Sequence, residues 1–312
     1  MQTLSQLGEL NIIAHLRKHL RTGEGLITGI GDDCAVVRTT PDAAEDLLLT
    51  SDAVIESRHF LPTDPPAAIG RKAISRALSD IAAMGGSPRW ALIDLVAPPN
   101  LPLATLDELY AAAAERAHAF GLTIVGGDTS AAPLLELHVF AIGTVPRDKA
   151  ILRSGARPGD AIFVTGSLGG SRFGKHMHFT PRLPEGQWLR DYASAMIDIS
   201  DGLATDLRHL TTASTCGATL EISQIPISND AQQMTNDISP LEHALTDGED
   251  FELLFTVPAP KAAALLAAWP FPQTPVTRIG TITAPPNQIQ LRDPQGKPSN
   301  LEIKGFEHFT TS

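Results

Sequence analysis

The feature that most narrows the fold of this chain is an alternation of short apolar runs, many stopping at aspartate or glycine, with amphipathic stretches at helical spacing. The run Leu47 to Leu49 leads into Thr50, Ser51 and Asp52. AAIGRKAISRALSDIAAMGG then carries Ile69, Ala73, Ala77, Ile81 and Ala82 at three- and four-residue steps, which predicts a helix stopped by Gly85 and Gly86. WALIDLVAP predicts a short strand, and TLDELYAAAAERAHAFG a helix capped at Thr105 and ended by Gly121. LTIV and ELHVFAIGTV predict strands on either side of a tight Gly126, Gly127, Asp128 corner.

RSGARPGD, rich in glycine, proline and arginine, separates two strong strand patterns and reads as a linker. With 312 residues to divide, two domains are expected, 1–150 and 151–312. After the linker, AIFVTG, ATLEISQI, FELLFTV, TRIGTIT and QIQLRD predict strands. LATDLRHLTTAS, SPLEHALTDG and APKAAALLAAW predict helices, giving an α/β (α+β) chain.

Acidic side chains outnumber basic ones, 35 to 24, a balance that repels nucleic acid and anionic membrane surfaces. A protein of this charge that handles phosphate groups needs positive charge from elsewhere, and bound divalent cations supply it. Cys34 and Cys216 stand in no disulfide or zinc spacing, so a reducing, cytoplasmic setting is expected. The N-terminal stretch has amphipathic spacing with charges throughout, unlike a secretory signal, and no apolar run is long enough to span a bilayer.

Aspartates cluster in GIGDDCAVV, LLLTSDAVI, VGGDTS and MIDISDG, and Asp80 lies in the first long helix. Any one of them fits a turn or a cap. Strand ends and their loops converge at one edge of an α/β sheet, however, and carboxylates gathered there would repel one another. Magnesium removes that cost and bridges carboxylates to phosphates, so the pattern reads as a magnesium-nucleotide site.

In their order and spacing, GIGDDCAVV, TSDAVIESRHF, KAISRALSDIAAMGGSPRWAL, GGDTS, RSGARPGD, DISDGLATDL, DGEDFELLFTV and GFEHF resemble the thiamine-monophosphate kinase family over nearly the whole chain. The wider superfamily holds aminoimidazole ribonucleotide synthetase, selenophosphate synthetase and a hydrogenase maturation protein. The resemblance implies a two-domain fold of the aminoimidazole ribonucleotide synthetase type, an N-terminal domain that pairs into a homodimer, and ATP as co-substrate. It implies magnesium ligands at Asp33, Thr50, Ser51, Asp52, Asp80, Asp128, Asp198 and Asp201. Of these, Asp33, Asp52, Asp80, Asp128 and Asp201 are expected to be catalytic. Gly127, Asp128, Arg153 and Ser200 match nucleotide contacts. His59, Glu249 and Phe306 match contacts to thiamine monophosphate, a cationic, aromatic and phosphorylated molecule that a carboxylate, a ring face and an imidazole suit.

The chain departs from the family pattern at Ala77, Asp247 and Phe306, and in a shortened stretch from Gly166 to Pro181. Gly169, Gly174 and Lys175 mimic part of a phosphate-binding loop. His176 stands where a hydroxyl would hold magnesium, so a flexible surface loop is the preferred reading. Another ATP-dependent superfamily member, or a non-catalytic nucleotide-binding relative, is the alternative.

Overall fold

The computed structural model describes residues 3–234 and 237–301. Its strands are β1 Leu26–Thr28, β2 Ala35–Val37, β3 Glu45–Ile55, β4 Ser87–Ala97, β5 Thr123–Gly126, β6 Thr129–Ala131 and β7 Glu136–Pro146, followed by β8 Ala161–Thr165, β9 Ala195–Asp198, β10 Gly217–Glu221, β11 Leu253–Val257, β12 Val276–Thr283, β13 Ile289–Arg292 and β14 Pro298–Asn300. The α-helices are α1 Leu4–Leu7, α2 Glu9–Arg17, α3 Pro66–Ala83, α4 Leu103–Ala119 and α5 Lys175–His178, then α6 Leu183–Leu189, α7 Leu203–Ala213, α8 Asn229–Gln233, α9 Pro240–Thr246 and α10 Ala259–Ala268.

Two sheets result. The first runs β1-β2-β3-β7-β4-β5, with β6 also paired to β4, and is antiparallel except where β5 and β6 join β4. The second runs β14-β13-β10-β12-β8-β11-β9. The alternation in the sequence therefore does not build a parallel sheet with its ligands at one edge.

α3 forms because Pro66 presets its first turn and because its apolar residues recur at helical spacing. Ile74, Leu78 and Ile81 are fully buried in the first core. Gly70 lets α4 approach closely, since a side chain there would strike the Leu109 carbonyl oxygen at 2.1 Å. α4 starts at Leu103, two residues before the expected Thr105 cap, because Pro102 stands at its N-cap and its carbonyl already accepts from the Thr105 N–H.

The sheets pack separate cores, with Cys34 buried in one and Cys216 in the other. A third cluster joins them, setting Ala83 of α3 and Ile151 against Phe163, Phe255 and Leu189. Met177 of α5 and Leu183 of α6, late in sequence, belong to the first core. The first sheet's other face bears Trp90, Leu92 and Phe140, all exposed, alternating with buried Ala91, Ile93 and Ala141. Among the described residues, no helix is long and apolar enough to cross a membrane.

Candidate active site

α3 supplies the polar wall of the site. Lys72, Arg76, Ser79 and Asp80 follow one another by four, three and one residues, which sets them on one side of the helix. Alternation along β3 turns Thr50 and Asp52 toward that side. Thr50 Oγ1 donates a short hydrogen bond to Asp80 Oδ2. Arg76 grips Asp52 with its fork, Nε to Oδ2 at 2.9 Å and Nη2 to Oδ1 at 2.8 Å. Ser51, between Thr50 and Asp52, is exposed. This triplet was expected at a strand end but lies inside β3, because Ala53, Val54 and Ile55 continue the ladder with β7 as far as Glu136.

The second half meets this wall through β9, where Asp198 Oδ2 accepts from Ser79 Oγ at 2.5 Å. Asp33, from the β1–β2 loop, accepts from Arg153 Nη2 at 2.6 Å. Carboxylate oxygens of Asp33, Asp80 and Asp198 all lie within 4.8 Å of one another. Burial, then the charge of Asp33, pushes Asp198 up to about 7. Burial, then Asp198 and Asp52, pushes Asp80 well above the usual carboxylate range. Asp33 Oδ2 is buried with no hydrogen-bond partner, a loss of about 1–3 kcal/mol or more for a charged acceptor. A hard cation with oxygen ligands relieves both penalties, so this donor set fits magnesium.

Asp201 lies just beyond β9, and its N–H donates to Asp206 Oδ2 at 3.0 Å. With Asp206 and His209 it forms a second close group. Ser200 accepts the Glu249 N–H through its carbonyl at 2.7 Å.

Asp128 joins neither group. Its N–H donates to Asp94 Oδ1 at 2.9 Å and its carbonyl accepts from Leu95, which fixes it beside β4 on the side away from β3. Three strand spacings put it about 14 Å from Asp52. Gly127, at φ +155°, permits this corner, since a side chain there would strike the Ile93 carbonyl oxygen at 1.8 Å.

A cavity of about 670 Å³ is lined by Asp52, Asp80 and Asp198, and also by His59, Glu249 and Phe251. Glu249 and Phe251 adopt left-handed φ values of 63° and 49°, conformations uncommon for such side chains. Hydrogen bonds hold the pair in place, from Glu249 N to Ser200 O and from Phe251 N to Ile199 O. Glu249 meets Arg76 Nη1 at 2.8 Å, Lys72 Nζ at 2.8 Å and His176 Nδ1 at 3.3 Å. Burial alone would raise its pKa, but the His176 bond and the charges of Lys72 and Arg76 outweigh it and hold the group at about 2. His59 Nδ1 accepts from the Ile55 N–H, so the neutral ring carries its proton on Nε2. Burial, then the charge of Arg76, holds its pKa down at about 4. Phe251 stacks on Phe179 with centroids 3.9 Å apart. Phe306 lies outside the described residues.

Lys72, Arg76 and Ser79 were not singled out from sequence, and His176 was read only as the residue that spoils a phosphate-binding loop. The signal was present in part, as a polar stripe along α3 opposite the apolar one. The Gly169–Lys175 stretch is not a loose surface loop, because Lys175 Nζ donates to Ser167 O at 2.8 Å and pairs with Glu252 at 3.0 Å. Asp247, in place of the family's glycine, accepts from Gly170 N at 2.7 Å and so tethers this stretch.

The AIR synthase related protein models match this chain, the N-terminal domain over residues 31–145 and the C-terminal domain over residues 174–291. Fold and acidic cleft together define that two-domain class. Thiamine-monophosphate kinase of Escherichia coli strain K12 is 36% identical over 97% of this chain and 99% of its own length. That of Salmonella typhimurium strain LT2 is 37% identical over the same shares. The solved structure of AaThiL complexed with AMPPCP and TMP has a TM-score of 0.86 at 32% identity and covers 99% of each chain. The chain belongs to the thiamine-monophosphate kinase family.

Proposed function

We propose that this chain is a thiamine-monophosphate kinase, transferring the γ-phosphoryl group of ATP to the phosphate of thiamine monophosphate and releasing ADP and thiamine diphosphate. The observation that carries this reading is one cavity bounded both by the Asp52, Asp80 and Asp198 carboxylates and by Glu249, His59 and Phe251. Similarity to AaThiL complexed with AMPPCP and TMP supports the same pair of substrates.

Such transfer asks mainly for positioning and charge neutralisation. An acceptor oxygen forms the new bond to the γ-phosphorus as the bond to the bridging oxygen of ADP breaks, and the already anionic acceptor needs no strong general base. Asp33, Asp80 and Asp198 are the residues we assign to magnesium, with Thr50, Ser51, Asp52 and Asp201 at its margins. Magnesium, when bound, would neutralise the charge of the transferring phosphates. Glu249 is ionised at neutral pH and suits the thiamine cation, the Phe251 ring offers it a face, and neutral His59 can donate from Nε2. Arg153 and Ser200 are assigned to the nucleotide.

We place the domain boundary between the end of β7 at Pro146 and the start of β8 at Ala161. The open apolar face around Trp90, Leu92 and Phe140 is assigned to a second copy of the chain. Pairing there is also what would carry Asp128 and Gly127 to a carboxylate cluster, that of the other copy. A cytoplasmic setting suits the two buried free thiols. The reading is tested by chromatography after incubation with ATP, magnesium and either thiamine monophosphate or thiamine. Thiamine diphosphate should form from the monophosphate, with free thiamine left largely unchanged. Comparable conversion of both, or none from the monophosphate, would refute it.

A further inference from the structure

Arg76 touches both Asp52, at the metal margin, and Glu249, assigned to the thiamine cation. It is mostly buried, lies 5.7 Å from the Phe251 ring centroid and lines the cavity. Lys72, the neighbouring cation, is fully buried and committed to the His59 carbonyl at 2.6 Å and to Glu249 at 2.9 Å. His176 Nδ1 also lies 2.9 Å from its ammonium, which these groups enclose. Arg76 spends two of its five donors on Asp52, and those two are released whenever Asp52 turns to another cation.

Resting on the kinase reading above, we propose that Arg76 is the residue that selects the phosphorylated acceptor. On Asp52 its guanidinium fork takes the place that a cation would take. When a divalent cation takes Asp52, Nε and Nη2 turn to the phosphate of thiamine monophosphate, while Nη1 keeps Glu249 in place for the thiamine ring. The fork matches two phosphate oxygens at once, a geometry that a lysine cannot supply. Free thiamine offers no partner for Nε and Nη2, and buried donors left without an acceptor are unfavourable. Discrimination then comes from the protein's own side chain as well as from the metal.

The test is calorimetric binding of thiamine monophosphate and of thiamine, in EDTA and in magnesium, to the full-length protein and to Arg76→Met, Asp52→Asn and the double variant. In magnesium, Arg76→Met should bind the monophosphate at least about tenfold more weakly, a loss several-fold larger than any change in its binding of thiamine, as expected for loss of one charge-assisted fork. Titrated with magnesium alone, Arg76→Met should bind it several-fold more tightly, because Asp52 has lost its internal competitor. In EDTA, Asp52→Asn should bind the monophosphate about tenfold more tightly than the parent, and the double variant should lose that gain. Monophosphate binding by Arg76→Met within twofold of the parent, or a gain that persists in the double variant, would overturn the role of Arg76. If the parent binds thiamine monophosphate no better than thiamine under any condition, the kinase reading itself falls. Arg76→Lys covers the case in which Arg76→Met folds poorly, because it keeps the charge without the fork and should lose monophosphate affinity in the same direction.

Discussion

Ser79 Oγ donates to Asp198 Oδ2 at 2.5 Å, so a hydroxyl on α3 of the first half holds a carboxylate at the end of β9 of the second. The bond fixes how the two halves meet at the carboxylate cluster. Ser79→Ala should cost about 1–3 kcal/mol of stability, the range for a hydrogen bond to a charged group whose partner is left buried. Urea denaturation measures this, and turnover should fall at least about tenfold as Asp198 loses its orientation. A variant with parental turnover would mean that Asp198 does not depend on this contact.

Asp198 titrates at about 7 in the folded chain against an ordinary 3.8, so folding takes up a proton between those values. Its contribution to the metal-free protein is therefore greatest below about pH 4 and is lost as pH rises through 7. Asp198→Asn should flatten this part of the pH–stability curve, melt several degrees higher than the parent at pH 8 without metal, and gain less from added magnesium. Thermal melts across that pH range, with and without magnesium, measure all three. A lower melting temperature for the variant at pH 8 would show that the carboxylates do not oppose one another.

Lys175 faces Glu252, which is almost fully buried and also held by Arg182 at 2.7 Å. Lys175→Met should cost about 2 kcal/mol, below the usual range for breaking a buried pair because Arg182 keeps its contact. ATP affinity should change little. A phosphate-binding loop would give the reverse, near-parental stability with a large loss of ATP binding, and fluorescence titration beside a urea melt separates the two.

Leu92 and Phe140 are cross-strand neighbours on the open face of the first sheet, and both are exposed. Leu92→Glu should convert a dimer to a monomer at micromolar concentration, since a charge there cannot be covered without being desolvated. Light scattering on parent and variant reads this directly. A monomeric parent would remove the second copy from the account.

The helices and strands were legible where periodicity is strong, as in α3, whose Ile74, Leu78 and Ile81 fill the core while its ends carry proline and glycine signals. The words holding Asp33, Asp52, Asp80 and Asp198 were legible as a set, and all four line or adjoin one cleft. The position of Asp128 was not, because the order β3-β7-β4 inserts a late strand between two early ones, and no local signal encodes that pairing. Arg76 was missed for a different reason. A polar residue on the far side of an amphipathic helix normally faces water, and only the second half of the chain, through Glu249 and Phe251, encloses it.

Direct transfer is tested most plainly with ATP labelled in its γ-phosphate, magnesium and unlabelled thiamine monophosphate. The account predicts that the label appears in the terminal phosphate of thiamine diphosphate, one for each ADP formed, and that Asp80→Asn abolishes the transfer while remaining folded. Label recovered only as inorganic phosphate, or none transferred, would contradict it.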